Sequence, residues 1–190
     1  MSAQALADRV LAALARVAPP PAGPPVLAVD GRSGTGKTDL AAVLARRTGA
    51  VVAHMDDLYP GWDGLAAAVD LLGELLAQLR GGRVVRQPVW DWQRGTYAGT
   101  VTWPTSGLLV VEGVGAGCAG GVDLLVELTA DPAVRRARAL ARDGQAYAPH
   151  WGRWAAQEDE LFSRRPLRPD LSVATDDAGT DDAATRAGCT

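Results

Sequence analysis

Short unbroken apolar runs alternate along this chain with longer stretches in which apolar residues recur every three or four positions. Residues 26–30, 50–54, 108–112 and 124–128 are runs of the first kind, built mainly of Val, Leu and Ala. A strand that is apolar on both faces suits the middle of a parallel sheet covered by helices on either side. The second kind predicts helices over 3–17, 38–48, 65–80, 132–142 and 151–165. In the first of these, Leu6, Val10, Leu11, Leu14 and Val17 form one stripe, with Asp8, Arg9 and Arg16 largely off it. Gly81-Gly82 ends the helix over 65–80, because glycine accepts the left-handed backbone that a helix stop requires. Residues 84–87 and 97–103 read as short β pieces around a Trp-rich turn, a candidate hairpin, and 170–174 as a last strand. Strands alternating with helices predict an α/β three-layer fold, with a parallel, roughly five-stranded sheet and helices on both faces.

Two segments stand outside that pattern. Prolines crowd 19–25; each fixes its own φ and stiffens the residue before it, so an extended connector is expected between an N-terminal helix (1–18) and a domain over 26–175. Packing on the domain and pairing two copies into a homodimer both fit that helix. The end, 176–190, is acidic, rich in Gly, Ala and Thr, and without periodicity, the composition of a disordered tail.

Composition narrows the classes. With 190 residues the chain is most simply one domain with a proper core. A net charge of −3 and no basic block give no electrostatic footprint for nucleic acid. Cys118 and Cys189 lie far apart and form neither a disulfide framework nor a metal spacing. No apolar run reaches the length needed to span a bilayer, and the N-terminal segment lacks the early positive charge and apolar core of a signal peptide. No membrane association and a cytoplasmic location are the expectation.

The chemistry begins at Val26-Leu-Ala-Val-Asp-Gly-Arg-Ser-Gly-Thr-Gly-Lys-Thr38. Gly31, Gly36, Lys37 and Thr38 fit the phosphate-loop spacing, with an apolar strand before and a helix after. Glycines let the backbone wrap phosphate oxygens, and the helix N-terminus offers unpaired N–H groups and a positive dipole end. Gly31, Ser33, Gly34, Thr35, Gly36, Lys37 and Thr38 are therefore the expected triphosphate cradle, with Lys37 reaching the β/γ-phosphates and the Thr38 hydroxyl holding Mg²⁺. A P-loop NTPase fold that binds a nucleoside triphosphate with Mg²⁺ follows from that segment, which does not choose the nucleobase.

Three further elements separate the P-loop classes. Asp56 and Asp57 follow the second strand, at the edge where an α/β sheet puts its ligand crevice. A carboxylate there accepts the proton of an attacking hydroxyl during γ-phosphoryl transfer, or else caps the following turn. Glu112 emerges at the tip of a four-residue apolar strand, a position suited to binding Mg²⁺ directly or through water. Arg135, Arg138 and Arg142 share one side of a helix, where guanidinium groups can screen the charge of a moving phosphoryl group or simply face solvent. Six tryptophans are many for this size; Trp90 and Trp92 can stack on a ligand or seal a core edge, and Asp91 can bind an acceptor hydroxyl or cap a turn. No Asn-Lys-x-Asp run specifies guanine.

In this order the motifs resemble the uridine kinase-like P-loop kinases, over 26–174. Met55-Asp-Asp-Leu-Tyr59 is similar to that family's Asp-x-Phe/Tyr-Tyr motif, and the resemblance makes Asp56 the base and Tyr59 a pocket residue. Pro88-Val-Trp-Asp-Trp92 resembles the Pro-x-Tyr-Asp-Phe segment that lines the acceptor pocket. Residues 131–143 resemble the Arg-rich lid, which implies a catalytic Arg138 and nucleotide contacts from Arg135 and Arg142. The chain also departs from the family: Gln93-Arg94-Gly95 stand where uridine–cytidine kinases carry a base-touching His, and the lid is short. The resemblance thus implies ATP-dependent phosphoryl transfer to a small hydroxylated acceptor without identifying it. An NTP-binding switch or accessory ATPase acting through a partner is the alternative class.

Overall fold

A computed structural model of the chain describes residues 2–176. Its order is α1 (Ala3–Leu14), β1 (Val26–Asp30), α2 (Lys37–Thr48), β2 (Val51–His54), α3 (Leu65–Arg80), β3 (Arg86–Asp91), β4 (Thr96–Thr102), β5 (Leu109–Glu112), β6 (Leu124–Thr129), α4 (Pro132–Tyr147), α5 (Trp151–Arg164) and β7 (Leu171–Ala174). The five strands β2-β5-β1-β6-β7, in that spatial order, form one sheet in which every pairing is parallel. β3 and β4 stand apart as an antiparallel hairpin with an irregularity between Pro88 and Trp90. The three-layer α/β architecture read from the apolar runs is therefore the observed one. Of the expected tail, residues 177–190 lie outside the described residues.

Two apolar clusters cover the sheet. On one face Val26, Ala28, Leu109 and Val111 pack with α3, Trp103 and the aromatic residues of α5. On the other, Leu27, Val29, Val110 and Val126 pack with α2 and with Leu6, Ala7 and Val10 of α1. The N-terminal helix thus belongs to the domain, and Asp8 ion-pairs with Arg47 of α2 at 2.7 Å. The proline connector is held by Arg80, which donates to the carbonyls of Ala22 and Pro24 and pairs with Asp123 at 2.5 Å.

The helix over 132–142 runs further than its apolar spacing suggests. It continues to Tyr147 through a break at Gly144, whose φ of 54° and ψ of −132° no regular helix contains. Asp131 caps its start by accepting from the Ala133 N–H at 2.8 Å. With both central strands ending beside the phosphate loop, the carboxyl edge of the sheet is where the chemistry converges.

Candidate functional site

The loop between β1 and α2 takes its shape from glycines. Gly34 has φ +84°, and a Cβ there would stand 2.2 Å from the carbonyl oxygen of Arg135. Gly31, at φ +136°, would meet the carbonyl of Leu128 at 2.1 Å. No side chain fits at either, so the backbone itself packs against β6 and α4. Gly36 caps α2 with left-handed geometry and no side chain over it, leaving the helix N-terminus open.

Asp30 anchors this loop from beneath. Fully buried, its carboxylate accepts from the N–H groups of Gly31 at 2.6 Å, Gly115 at 2.9 Å and Gly117 at 2.8 Å. It ties the phosphate loop to the segment after β5. Burial raises its pKa to about 6 from the ordinary 3.8, while the three N–H groups and Lys37 pull the other way. Asp30 belongs to no motif; its one signal in the sequence is a charged residue closing an otherwise apolar strand.

The predicted metal pair is brought together. Thr38 Oγ1 stands 3.3 Å from each carboxylate oxygen of Glu112. Glu112 is buried and engages His54 Nδ1 at 2.6 Å. The β2–β5 register sets His54 directly beside Glu112. That hydrogen bond raises the His54 pKa, with burial opposing. Among the described residues no group of three or more His, Cys, Asp or Glu converges on a point. A hydroxyl and a carboxylate beside a phosphate cradle nonetheless fit Mg²⁺, which keeps several waters and takes few protein ligands. Lys37 is buried, with Nζ donating to the Arg32 carbonyl at 3.0 Å. Burial lowers its pKa, and Glu112, Glu158, Asp30 and Asp56 work against that.

These groups open into a cleft of about 690 Å³ that also holds Asp56, Asp57, Arg142 and the rings of Tyr59, Trp62, Trp92, Tyr147 and Trp154. Asp56 and Asp57 sit on a one-turn 3-10 helix (Met55–Asp57) that follows β2. Desolvation by the surrounding cleft raises the Asp56 pKa, with Glu112 adding and Lys37, Arg142 and His54 subtracting. Asp57 is shifted the same way by desolvation. Tyr59 packs edge-on against Trp154 and donates its hydroxyl to the Val114 carbonyl at 2.9 Å. Trp62 stacks on Tyr147 and on His150. Trp92 leaves much of its indole exposed and is pinned by Nε1, which donates to the Asp56 carbonyl at 3.0 Å. The hairpin is tied again where Tyr97 donates to the Leu58 carbonyl at 2.7 Å.

Other predicted residues lie elsewhere. Trp90 packs edge-on against Tyr97 and is not among the cleft lining. Asp91 caps its own turn, accepting from the N–H groups of Gln93 and Arg94. The three arginines of α4 separate. Arg142 lines the cleft, Arg135 turns under the loop to the Ser33 carbonyl at 3.4 Å, and Arg138 donates to the carbonyls of Thr175 and Asp176. Thr175 in turn donates to the Thr35 carbonyl at 3.0 Å, so Arg138 borders the far side of the phosphate loop.

No family model and no curated protein matches this chain. Solved structures do share its fold. A proposed fructose transport system kinase from Silicibacter sp. TM1040 superposes with a TM-score of 0.64 at 22% identity, over 91% of this chain and 99% of that one. A proposed uridine kinase from Bacillus stearothermophilus gives 0.60 at 22% identity, over 87% and 96%. The D-glycerate 3-kinase of Cryptococcus neoformans gives 0.50 at 16%, over 85% of each. The fold is thus the P-loop kinase-like α/β fold.

Proposed function

We propose that this protein transfers the γ-phosphoryl group of ATP to a hydroxyl of a small molecule bound in the aromatic half of the cleft. The observation that carries the reading is the Asp56 carboxyl. It opens into the same cleft as Lys37, Thr38 and Glu112, and no described residue hydrogen-bonds to it. A base needs that arrangement: within reach of both the phosphate cradle and the acceptor, and not consumed by the protein. Its raised pKa moves it toward neutral pH, where proton acceptance is most effective.

In this reading the loop N–H groups and Lys37 cradle the β- and γ-phosphates. Thr38 and Glu112 hold Mg²⁺, which when bound supplies positive charge against the phosphate oxygens. Asp56 takes the acceptor proton as the acceptor oxygen bonds to the γ-phosphorus and the bond to the β-phosphate oxygen breaks, releasing ADP. Arg142 screens the charge spread over the moving group, while Arg138 supports the phosphate loop through Thr175. Trp92, with much of its indole exposed and Trp62 packed beside it, presents a face that suits a ring or a sugar's C–H surface.

The test is ADP release from Mg·ATP with nucleosides, vitamins, sugars and hydroxylated antibiotics as acceptors. The reading requires that one class raise the rate well above the rate without acceptor. Slow, acceptor-independent release throughout would favour an accessory ATPase or switch.

A further inference from the structure

Glu158 is an acidic residue only 1% exposed, and it belongs to no motif that pointed to the site. Its Oε1 accepts the Ser33 N–H of the phosphate loop at 2.8 Å. Its Oε2 lies 3.6 Å from the Arg32 guanidinium and 3.7 Å from that of Arg135. Arg135 also donates to the Ser33 carbonyl at 3.4 Å, so Ser33 is held at both its N–H and its C=O, on two successive peptide units of the loop. Arg32 is held further by Asp159 at 2.6 Å. A carboxylate removed from water and given one N–H and two guanidinium partners is costly to disturb, because losing any partner leaves buried charge unpaired.

The same helix forms the wall of the acceptor half. Trp154 precedes Glu158 by four residues, which places both on one face of α5. Trp154 lines the cleft and packs on Tyr59, which ends the segment bearing Asp56. Gln157 donates to the Trp62 carbonyl at 2.7 Å. One rigid helix therefore touches the phosphate loop at one turn and the aromatic wall at the turn before.

We propose that Glu158 is a positioning residue that couples the two halves of the cleft, so that nucleotide in the loop orders the acceptor wall through α5. The inference rests on the nucleotide-binding part of the proposed function and not on phosphoryl transfer. A coupling of this kind is commonly worth about 5- to 150-fold in affinity.

The experiment is hydrogen exchange on the full chain with and without saturating Mg·ADP, joined to an Mg·ADP titration. In the wild type, Mg·ADP should slow exchange in α5 around Trp154–Glu158 and around Trp62, as well as in the loop. Glu158→Gln, which keeps an acceptor for Ser33 but loses the charge, should weaken Mg·ADP by about tenfold. At saturation it should protect the loop without protecting α5. Glu158→Ala should be weaker still. An α5 that does not respond in the wild type overturns the coupling, and needs no variant to fold. Glu158→Gln with a lower melting temperature but unchanged affinity and unchanged α5 protection would reduce Glu158 to a structural residue and also overturn it. If α5 responds but no acceptor stimulates ADP release, the coupling stands and the kinase reading falls.

Discussion

His54 and Glu112 face each other across neighbouring strands, joined at 2.6 Å by a hydrogen bond between His54 Nδ1 and the Glu112 carboxylate. The pairing raises the His54 pKa above its ordinary 6.5, so the folded protein binds that proton more tightly than the unfolded chain. Its stabilisation is full below the ordinary value and is lost as pH rises through the folded one. With Mg²⁺ chelated, the wild type should exceed His54→Asn in urea midpoint at pH 5.5 and lose most of that margin by pH 8.5. The side chain is 44% exposed, so solvent screening keeps the margin small. An equal margin at both pH values would rule the charge out as its source.

Asp30 should move stability across a lower window. Its folded pKa of about 6 lies above the ordinary 3.8. The native state therefore favours the protonated acid, and this contribution fades as pH climbs from about 4 to 6. Asp30→Asn should flatten that slope. At neutral pH the variant should still be destabilised, by about 1–3 kcal/mol, because an amide N–H₂ replaces one of the oxygens that accept from glycine N–H groups. Urea unfolding of both proteins between pH 4 and 8 checks both statements.

The elements were largely legible in the sequence because each was written in local periodicity. The helix over 65–80 matches α3 residue for residue, and β1 matches 26–30. The hairpin was expected, but its first strand runs over Arg86–Asp91 and not 84–87, so Trp90 lies in the strand and not in the turn, with the register shifting between Pro88 and Trp90. The phosphate loop was legible because its spacing is its function. What stayed hidden depends on contacts far along the chain. Asp30 finds Gly115 and Gly117 some 85 residues away, and Glu158 finds Ser33 125 residues away. Arginines 135, 138 and 142 share a helix side in projection, yet they part because Ser33, Thr175 and the cleft lie at different heights along α4. The Asp91 side chain had two roles open, and the turn took it.

Gly34→Ala should damage the loop directly. The added Cβ meets the Arg135 carbonyl at 2.2 Å and the residue is held at φ +84°. Strain of about 1–3 kcal/mol is expected, with Mg·ADP affinity falling at least tenfold. Calorimetric titration of the variant provides the check.

Trp92→Ala should separate the two halves of the cleft. Trp92 belongs to the hairpin and touches the loop bearing Asp56 through one hydrogen bond. Removing its ring should raise the acceptor KM several-fold while leaving Mg·ADP affinity within twofold; a stacked ring is commonly worth about 1 kcal/mol. Equal losses for both ligands would place the indole in general support of the fold.

The central claim is that Asp56 accepts a proton from a hydroxylated acceptor during phosphoryl transfer, and following the γ-phosphoryl label of ATP tests it most directly. With the acceptor that best stimulates ADP release, the wild type should deliver the label to that acceptor. Asp56→Asn should bind Mg·ADP nearly normally yet transfer label about 10²- to 10⁴-fold more slowly. Label appearing only as inorganic phosphate in the wild type, or transfer undiminished in Asp56→Asn, would contradict the account.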